Sequence, residues 1–481
     1  MVVYGASRDI EGDTIAAIIT APGIGAMGAL RLSGPLAFDA VSRIFRRKNG
    51  GSMEALSDYS LTYGGVYLDG VFLDQALMLK MKAPHSFTGE DVAELQCHGG
   101  PLVMGRLLAA VTSLDGLPVR AAAPGEFSLR AFLQGKMDLS QAEAVMELVS
   151  ADNPKAALLA AEQIGGGLSL QLNMLKSKIM DLLAEIEVEV DFPDEDLGVA
   201  SAEASRREKF RNLLEETDGI LAMAERGRIY RDGIRAVFFG RPNAGKSSLL
   251  NGLLREPRAI VTPEPGTTRD VLEERVVLKG VPLLLTDTAG VRKVGSLAEQ
   301  AGVERARQAA VKADLILYIV DVTAGLTDED EAFLRELARE KTLIIFNKTD
   351  LLDRHPDEVV EALLPEEFGE WLYCCLSALE SSGLEILAER IAAFFQQGGC
   401  PSREIVSGQS REILLNHRQS EALLKVRQAL ASALNALDEG MPEDIASIDL
   451  RQAWACIGEL TGETAQPALV EAIFSKFCLG K

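Results

Sequence analysis

The chain has 481 residues, too many for one hydrophobic core and of a length that suggests about three domains. Lys plus Arg number 49 against 71 Asp plus Glu, a formal charge of −22 that excludes a surface basic throughout, so contact with nucleic acid needs a local patch or a partner. The six cysteines form no C-x-x-C pair, which excludes a thiolate zinc site, and their sparseness fits a reducing, cytoplasmic setting.

The N-terminus does not read as a signal peptide, because Asp9, Glu11 and Asp13 precede its apolar stretch and Pro22 and Gly23 interrupt it. No run of about 18 apolar residues occurs, so no membrane span is expected. Residues 1–134 mix short apolar runs such as Ile15–Thr20 and Val71–Met81 with turns such as Gly99-Gly100-Pro101, which predicts a small α+β domain. Within it, Thr88 and Asp91 have capping-box spacing, which offers a helix start with Glu94 on its first turns.

From Leu139 the pattern turns helical. Leu168, Leu172, Leu175, Ile179, Leu182, Ile186 and Val190 recur at spacings of three and four, one apolar face of a long helix. Asp191-Phe192-Pro193 ends it, since proline cannot continue the hydrogen-bond ladder. A second helical region lies near the far end, with Leu423, Val426, Leu430, Leu434 and Leu437 on one face and Leu450, Trp454, Ile457 and Leu460 on another. The economical organisation is an N-terminal domain (1–134) and an all-α domain in two parts (135–230 and 399–481). An α/β domain (231–398) is inserted between those parts.

The inserted block alternates strands with helical stretches. Strands are predicted at Ile234–Phe239, Val271–Leu278, Pro282–Thr286, Asp314–Val320, Thr342–Phe346 and Trp371–Leu376, the pattern of a doubly wound sheet. Gly240-Arg241-Pro242-Asn243-Ala244-Gly245-Lys246-Ser247 matches G-x-x-x-x-G-K-[ST], follows the first strand and opens a helix that continues through Ser248. Its glycines let backbone N–H groups face phosphates, Lys246 adds charge at the β- and γ-phosphates, and the Ser247 hydroxyl is a Mg2+ ligand. Asp287-Thr288-Ala289-Gly290 closes another strand, with an acid for Mg2+ and a glycine amide for a γ-phosphate. Asn347-Lys348-Thr349-Asp350 follows a further strand, where the Asp350 carboxylate accepts both N1–H and the exocyclic amine of guanine; adenine presents the wrong pattern. Ser377-Ala378-Leu379 follows the last strand, placed to give a backbone amide to the guanine oxygen. Gly266-Thr267-Thr268-Arg269-Asp270 lies where GTPases place a Mg2+-ligating Thr. Five motifs in this order indicate a GTP-binding, Mg2+-dependent hydrolase on a P-loop α/β domain with a Ras-like doubly wound sheet, and the block resembles the translation-factor-like branch of P-loop GTPases. Val291 stands where Ras-like proteins carry the glutamine that orients water, so another group must do so.

Outside that block, Arg31-Leu32-Ser33-Gly34, Ser86-Phe87-Thr88-Gly89-Glu90-Asp91, Pro124-Gly125-Glu126-Phe127, Asp191-Phe192-Pro193-Asp194 and the terminal Phe477-Cys478-Leu479-Gly480-Lys481 resemble the MnmE (TrmE) family of tRNA uridine modification GTPases. The resemblance implies an N-terminal folate-binding domain that also dimerises, a helical domain and an inserted G domain. It implies a homodimer that works with the flavoprotein MnmG (GidA) to place a carboxymethylaminomethyl-type group at C5 of the wobble uridine of certain tRNAs, with a reduced folate (5-formyl- or methylene-tetrahydrofolate) as one-carbon donor. It puts folate contacts at Arg31, Glu94 and Lys136, K+ near Asn243, Thr262, Glu264 and Thr267, and Mg2+ at Ser247 and Thr268. Glu299 becomes the acid that positions the attacking water, and Cys478 and Lys481 fall near the uridine chemistry.

Each carried-over residue has a plainer rival. Arg31 is otherwise a surface arginine, Asn243 a loop-stabilising residue, Glu299 a solvated acid in a polar stretch, and Cys478 a small buried hydrophobe. Leu479 stands where the family pattern has Ile, and the stretches Arg354–Phe368 and Glu463–Val470 depart from it. The rival function is a ribosome-assembly GTPase of the Era/EngA type, which would call for a basic RNA-binding appendage that this acidic chain does not display. A folate enzyme with a degenerate GTPase attached is disfavoured by the intact nucleotide motifs.

Overall fold

The structure, a computed structural model, describes residues 12–52, 55–191, 199–255, 273–287, 310–311, 313–396 and 412–481. The chain divides into two compact units. The first comprises Met1–Met146, Glu162–Thr217 and Glu421–Lys481, and the second Glu147–Ala161 and Asp218–Ser420. A division falls inside the helix Val199–Asp232, where the sequence pattern placed a domain edge at that helix's end.

The first unit is built on a seven-stranded sheet. Its strands are β1 (Thr14–Ile18), β2 (Gly25–Ser33), β3 (Phe45–Arg47), β4 (Ser60–Leu68), β5 (Val71–Met81), β6 (Val92–Gly99) and β7 (Val119–Ala121), in the order β3-β4-β5-β6-β2-β1-β7. Only β1 and β7 pair in parallel; the other neighbours are antiparallel. The helices α1 (Ala37–Ile44) and α2 (Pro101–Thr112) bury Val41, Ile44, Met104 and Leu107 in one core with Leu30, Leu32, Met78 and Leu95 of the sheet. Along β6, Ala93, Leu95 and Cys97 alternate into that core. A period of two suits a strand and not a helix, so the helix start offered by Thr88 and Asp91 is corrected: Glu94 stands on β6. The short helix α3 (Glu126–Leu133) sets Phe127 against Ile15 and Ala17 of β1.

The helical part of this unit follows the apolar spacing. Gly167–Asp191 is one helix and buries Leu168, Leu172, Leu175, Ile179, Leu182 and Ile186, while Phe192 and Pro193, the expected stop, lie outside the described residues. It packs against the helix Glu443–Thr461, whose Leu450, Ile457 and Leu460 are buried. Each such side chain contributes roughly 1.5–3 kcal/mol by leaving water.

The second unit carries a six-stranded sheet of β8 (Ile234–Gly240), β9 (Glu273–Leu278), β10 (Val281–Asp287), β11 (Leu315–Asp321), β12 (Thr342–Asn347) and β13 (Leu372–Cys375). The order is β13-β12-β11-β8-β10-β9, parallel except for β10 with β9. Ile234, Ala236 and Phe238 of β8 enter a core with Leu249 and Leu253 of the helix Lys246–Arg255 and Leu387 and Ile391 of the helix Ser381–Gln396. Val237 and Phe239 enter a second core with Leu334 and Val360. Helices thus cover both faces, which is why the central strands read as unbroken apolar runs. Among the described residues no helix is long and apolar enough to cross a membrane.

A buried ion cluster fastens α3 in the first unit. Glu126, 5% exposed, accepts hydrogen bonds from Arg120, Arg130 and the backbone N–H of Ala123. Burial pushes its carboxyl up, but the bond from Arg120 and the neighbouring guanidinium charges outweigh burial and hold it below the usual carboxylate value. A carboxylate depressed in the folded state stabilises the fold above its unfolded pKa and loses that contribution as pH falls through the folded one. Glu126→Gln is expected to destabilise the protein by about 3 kcal/mol at pH 7, with the deficit shrinking below about pH 4. Urea melts of both proteins across this range check it; a deficit independent of pH contradicts it.

Candidate functional site

The nucleotide loop joins the end of β8 to the helix Lys246–Arg255. Gly240 has φ +132° and a Cβ there would lie 2.1 Å from the Ile319 carbonyl oxygen on β11, so no other residue fits. Asn243 is exposed in the left-handed region at φ 65°. Gly245 has φ +104°, and a Cβ there would fall 2.0 Å from Asn347 Nδ2. The loop is therefore pressed against the strand ends that carry the base-recognition motif. Ser247 and Ser248 are exposed on the first helical turn, while Leu249 holds the helix to the core. Helix N-terminal amides and dipole favour an anion at this place. Lys246 Nζ donates to the carbonyls of Gly240 and Arg241 at 2.7 and 2.6 Å, so the ammonium already lies across the loop.

Asn347 is 2% exposed and uses both ends of its amide. Nδ2 donates to the Ala244 carbonyl at 2.8 Å, and Oδ1 accepts from the Ala378 N–H at 2.9 Å. One side chain thereby ties the phosphate loop to the loop after β13. Lys348 takes the left-handed conformation at φ 69° and its Nζ meets Asp321 Oδ2 at 2.5 Å. Asp321 also accepts from the N–H and hydroxyl of Thr323. Burial pushes the Asp321 carboxyl up, but the Lys348 and Thr323 bonds outweigh it and keep it below the usual range. Asp350 is exposed on the turn Thr349–Leu351, whose Thr349 N–H donates to the Leu376 carbonyl at 3.3 Å, and the hydroxyl of buried Ser377 accepts from the Leu379 N–H. Asp287 ends β10 in register with Phe238, two residues before Gly240, so its backbone reaches the phosphate-loop end of the sheet. Thr262, Glu264, Thr267, Thr268, Thr288, Ala289, Gly290, Val291 and Glu299 lie outside the described residues.

A second constellation lies in the first unit. Arg31 on β2 and Glu94 on β6 stand opposite one another in the antiparallel register, with Nε donating to Oε1 at 2.7 Å. The Arg31 guanidinium lies 5.5 Å from the Phe87 ring centroid and 5.6 Å from that of Phe127, within cation–π range of both. Lys136 is exposed, and a Cβ on Gly89 would come within 3.2 Å of its Cε, so its stem runs along the loop that carries Phe87. The C-terminal stretch lies alongside: the Phe127 N–H donates to the main-chain oxygen of Lys481 at 3.2 Å, and Gly480, at φ +90°, packs on the backbone of Ile18. Cys478 is exposed, which removes its reading as a buried hydrophobe. Burial draws the Lys481 ammonium below its ordinary value, against the pull of Cys478. Sequence reasoning did not single out Phe87 and Phe127 as partners of Arg31, nor Asp321 as partner of Lys348. The two phenylalanines were within view, inside the stretches that carry the family resemblance.

Residues 14–136 match the family described as GTP-binding protein TrmE N-terminus, and residues 139–478 match the MnmE helical domain. The chain is 39% identical over 469 residues to the tRNA modification GTPase MnmE of Clostridioides difficile, covering 98% of this chain and 99% of that protein. It is 42% identical over 474 residues to the protein of the same name from Symbiobacterium thermophilum, again covering 98% and 99%. Among solved structures, Era of Aquifex aeolicus bound to GDP.AlF4- is similar at 24% identity, covering 41% of this chain and 66% of that one, with a TM-score of 0.27.

Because Asn347 joins two loops from a buried position, Asn347→Ala leaves the Ala244 carbonyl and the Ala378 N–H unpaired. Each buried orphan costs about 1–3 kcal/mol, so GDP affinity is expected to fall by about 10- to 100-fold. Titration with a fluorescent GDP analogue checks this; unchanged affinity contradicts the bridging role.

Proposed function

The chain belongs to the MnmE family of tRNA modification GTPases, and we propose that its two constellations serve GTP hydrolysis and the one-carbon chemistry of tRNA wobble-uridine modification. The protein is a GTP hydrolase acting in tRNA modification. What supports this reading is a family match along nearly the whole chain, together with a phosphate loop and base loops joined by one buried asparagine.

At the nucleotide site exposed Ser247 and the backbone of Asp287 at the end of β10 belong to the same end of the sheet; a serine hydroxyl as ligand, with the Asp287 acid acting through water, suits Mg2+. Thr268 completes that set in this proposal. Mg2+ supplies neutralisation of charge on the β- and γ-phosphate oxygens. Lys246, now on the loop carbonyls, turns its ammonium to those oxygens, and the N–H groups of Asn243 and of Gly245 to Ser248 are proposed to face the phosphates, while the Ala244 N–H closes the loop on the Arg241 carbonyl. Asp350 accepts from the guanine N–H groups, Asn347 and Lys348 hold the loops around the ring, and the loop of Ser377 and Ala378 is proposed to meet its oxygen, with the Ala378 N–H shared between that oxygen and Asn347 Oδ1. Thr288, Ala289 and Gly290 carry the γ-phosphate sensor. Asn243 has an exposed amide oxygen, a fitting K+ donor, and with Thr262, Glu264 and Thr267 it forms the proposed K+ site. There K+ would add positive charge near the β- and γ-phosphates, the charge that an arginine finger adds elsewhere. Glu299 holds the attacking water in line.

At the second site the Glu94 carboxylate, held by Arg31 beside two aromatic rings, suits a 2-amino-4-oxopyrimidine ring such as that of a reduced folate. Lys136 offers its ammonium from the adjoining loop. Lys481 meets the Phe127 N–H and Cys478 the Gly125 N–H through main-chain oxygens, and both residues are proposed to attend the uridine chemistry. The protein is proposed to act as a cytoplasmic homodimer with the flavoprotein MnmG on tRNA.

GTP turnover is expected to be at least about tenfold faster in K+ than in Na+ at matched ionic strength, and Glu299→Ala to lower kcat by about 10²- to 10⁴-fold. Equal turnover in the two salts removes the K+ site; unchanged kcat removes Glu299. Arg31→Ala is expected to weaken 5-formyltetrahydrofolate binding by about 10- to 100-fold, read by calorimetry; unchanged binding contradicts the folate site.

A further inference from the structure

Behind the Arg31–Glu94 pair lies a cluster of charges that no ligand role accounts for. The Arg130 guanidinium, 1% exposed, bonds to both Glu90 carboxylate oxygens at 3.1 Å, to the Asp13 carbonyl at 3.0 Å, to the Asp13 carboxylate and to Glu126 Oε1 at 3.1 Å. Arg120 also bonds to Asp13 and to Glu126. The fully buried Ser33 hydroxyl donates to Glu90 Oε2 at 2.6 Å and lies 2.7 Å from the Thr88 hydroxyl.

Stability alone is a poor account of this cluster. Buried ionic groups give up their hydration, and apolar residues of similar volume often stabilise as well or better. The Arg130 Nε–H is moreover buried without a hydrogen-bond partner, which is unfavourable. What the members share is their chain neighbours. Ser33 is two residues beyond Arg31 on β2, hence on the same face of the strand. Thr88 follows Phe87, and Glu126 precedes Phe127. Those two rings flank the Arg31 guanidinium. Three separate pieces of chain that form the surroundings of Arg31 are thus tied together, each at a residue one or two positions along from Arg31 itself, from Phe87 or from Phe127.

We propose that Arg130, acting through Glu90 and Glu126, is a positioning residue for Arg31: it fixes the Phe87 loop and the start of α3 so that both rings hold the guanidinium on Glu94. This deepens the folate reading above and rests on it for the identity of the ligand, though not for the positioning. Lysine in place of Arg130 keeps the charge but loses the planar fork that reaches several carboxylates at once. Ser33→Ala removes the hydroxyl that meets Glu90 and Thr88 and leaves the guanidinium cluster whole, a milder lesion that guards against misfolding.

The test uses the full chain well below its melting temperature. Solvent exchange of the Arg31 Nε–H, read by NMR, reports positioning directly; calorimetry with 5-formyltetrahydrofolate reports its consequence. In Arg130→Lys and Ser33→Ala, exchange at Arg31 is expected to quicken by about tenfold and folate binding to weaken by about tenfold. In an Arg31→Ala background the same changes should weaken binding by less than about twofold, because a residue acting through Arg31 is not additive with its loss. Lowered melting temperatures with unchanged Arg31 exchange would overturn the proposal, as would full additivity with Arg31→Ala. Faster exchange in a protein whose wild type binds no folate would support the positioning role and overturn the folate reading instead.

Discussion

The nucleotide site depends on the side-chain amide of Asn347. With one end on the Ala244 carbonyl and the other on the Ala378 N–H, it makes a phosphate loop and a base loop, 134 residues apart, into one object. The tie is close enough that the loop must bring glycine against it: a Cβ on Gly245 would fall 2.0 Å from Asn347 Nδ2. The same crowding operates at Gly240, which meets the Ile319 carbonyl on β11. The loop's shape is thus set by strands that lie beside it in the sheet, and the order β12-β11-β8-β10 places those strands together.

The first unit uses a different device for the same purpose. Its pair, Arg31 and Glu94, is set by strand register, and the rings around it by a buried ionic frame. A slip of either strand by one residue would turn its member of the pair to the opposite face of the sheet and separate the two. The C-terminal residues add a third element, since the main-chain oxygen of Lys481 meets the N–H of Phe127. Residues far apart in the chain thereby meet within a single unit.

Much of this was legible in the sequence because it is carried by local pattern. The strands of the second unit lie where apolar runs end in glycine or acidic turns, and Ile234–Gly240 splits its side chains between two cores as a buried strand must. The long helix Gly167–Asp191 follows from leucine spacing, and the phosphate loop from its glycines. The capping-box spacing at Thr88 and Asp91 misled, since Ser33 and Glu90 claim the Thr88 hydroxyl and the following residues alternate as a strand. The partners of Arg130 were illegible for a plainer reason. Asp13 is 117 residues away and Glu90 is 40, and no periodicity links charges that only sheet order brings together. Asp321, which holds Lys348, escaped for the same cause, being placed by the parallel pairing of β11 with β12.

Two chemically different sites on one chain make sense if nucleotide turnover serves a modification carried out elsewhere on the protein. The most direct measurement of that claim is mass spectrometry of nucleosides from total tRNA of cells lacking this gene, complemented with wild type or with Asp287→Ala. The account predicts that a C5-aminomethyl-type wobble uridine disappears, returns with wild type, and stays absent with Asp287→Ala. A nucleoside profile unchanged by loss of the gene, in cells with no second enzyme for the modification, would contradict it.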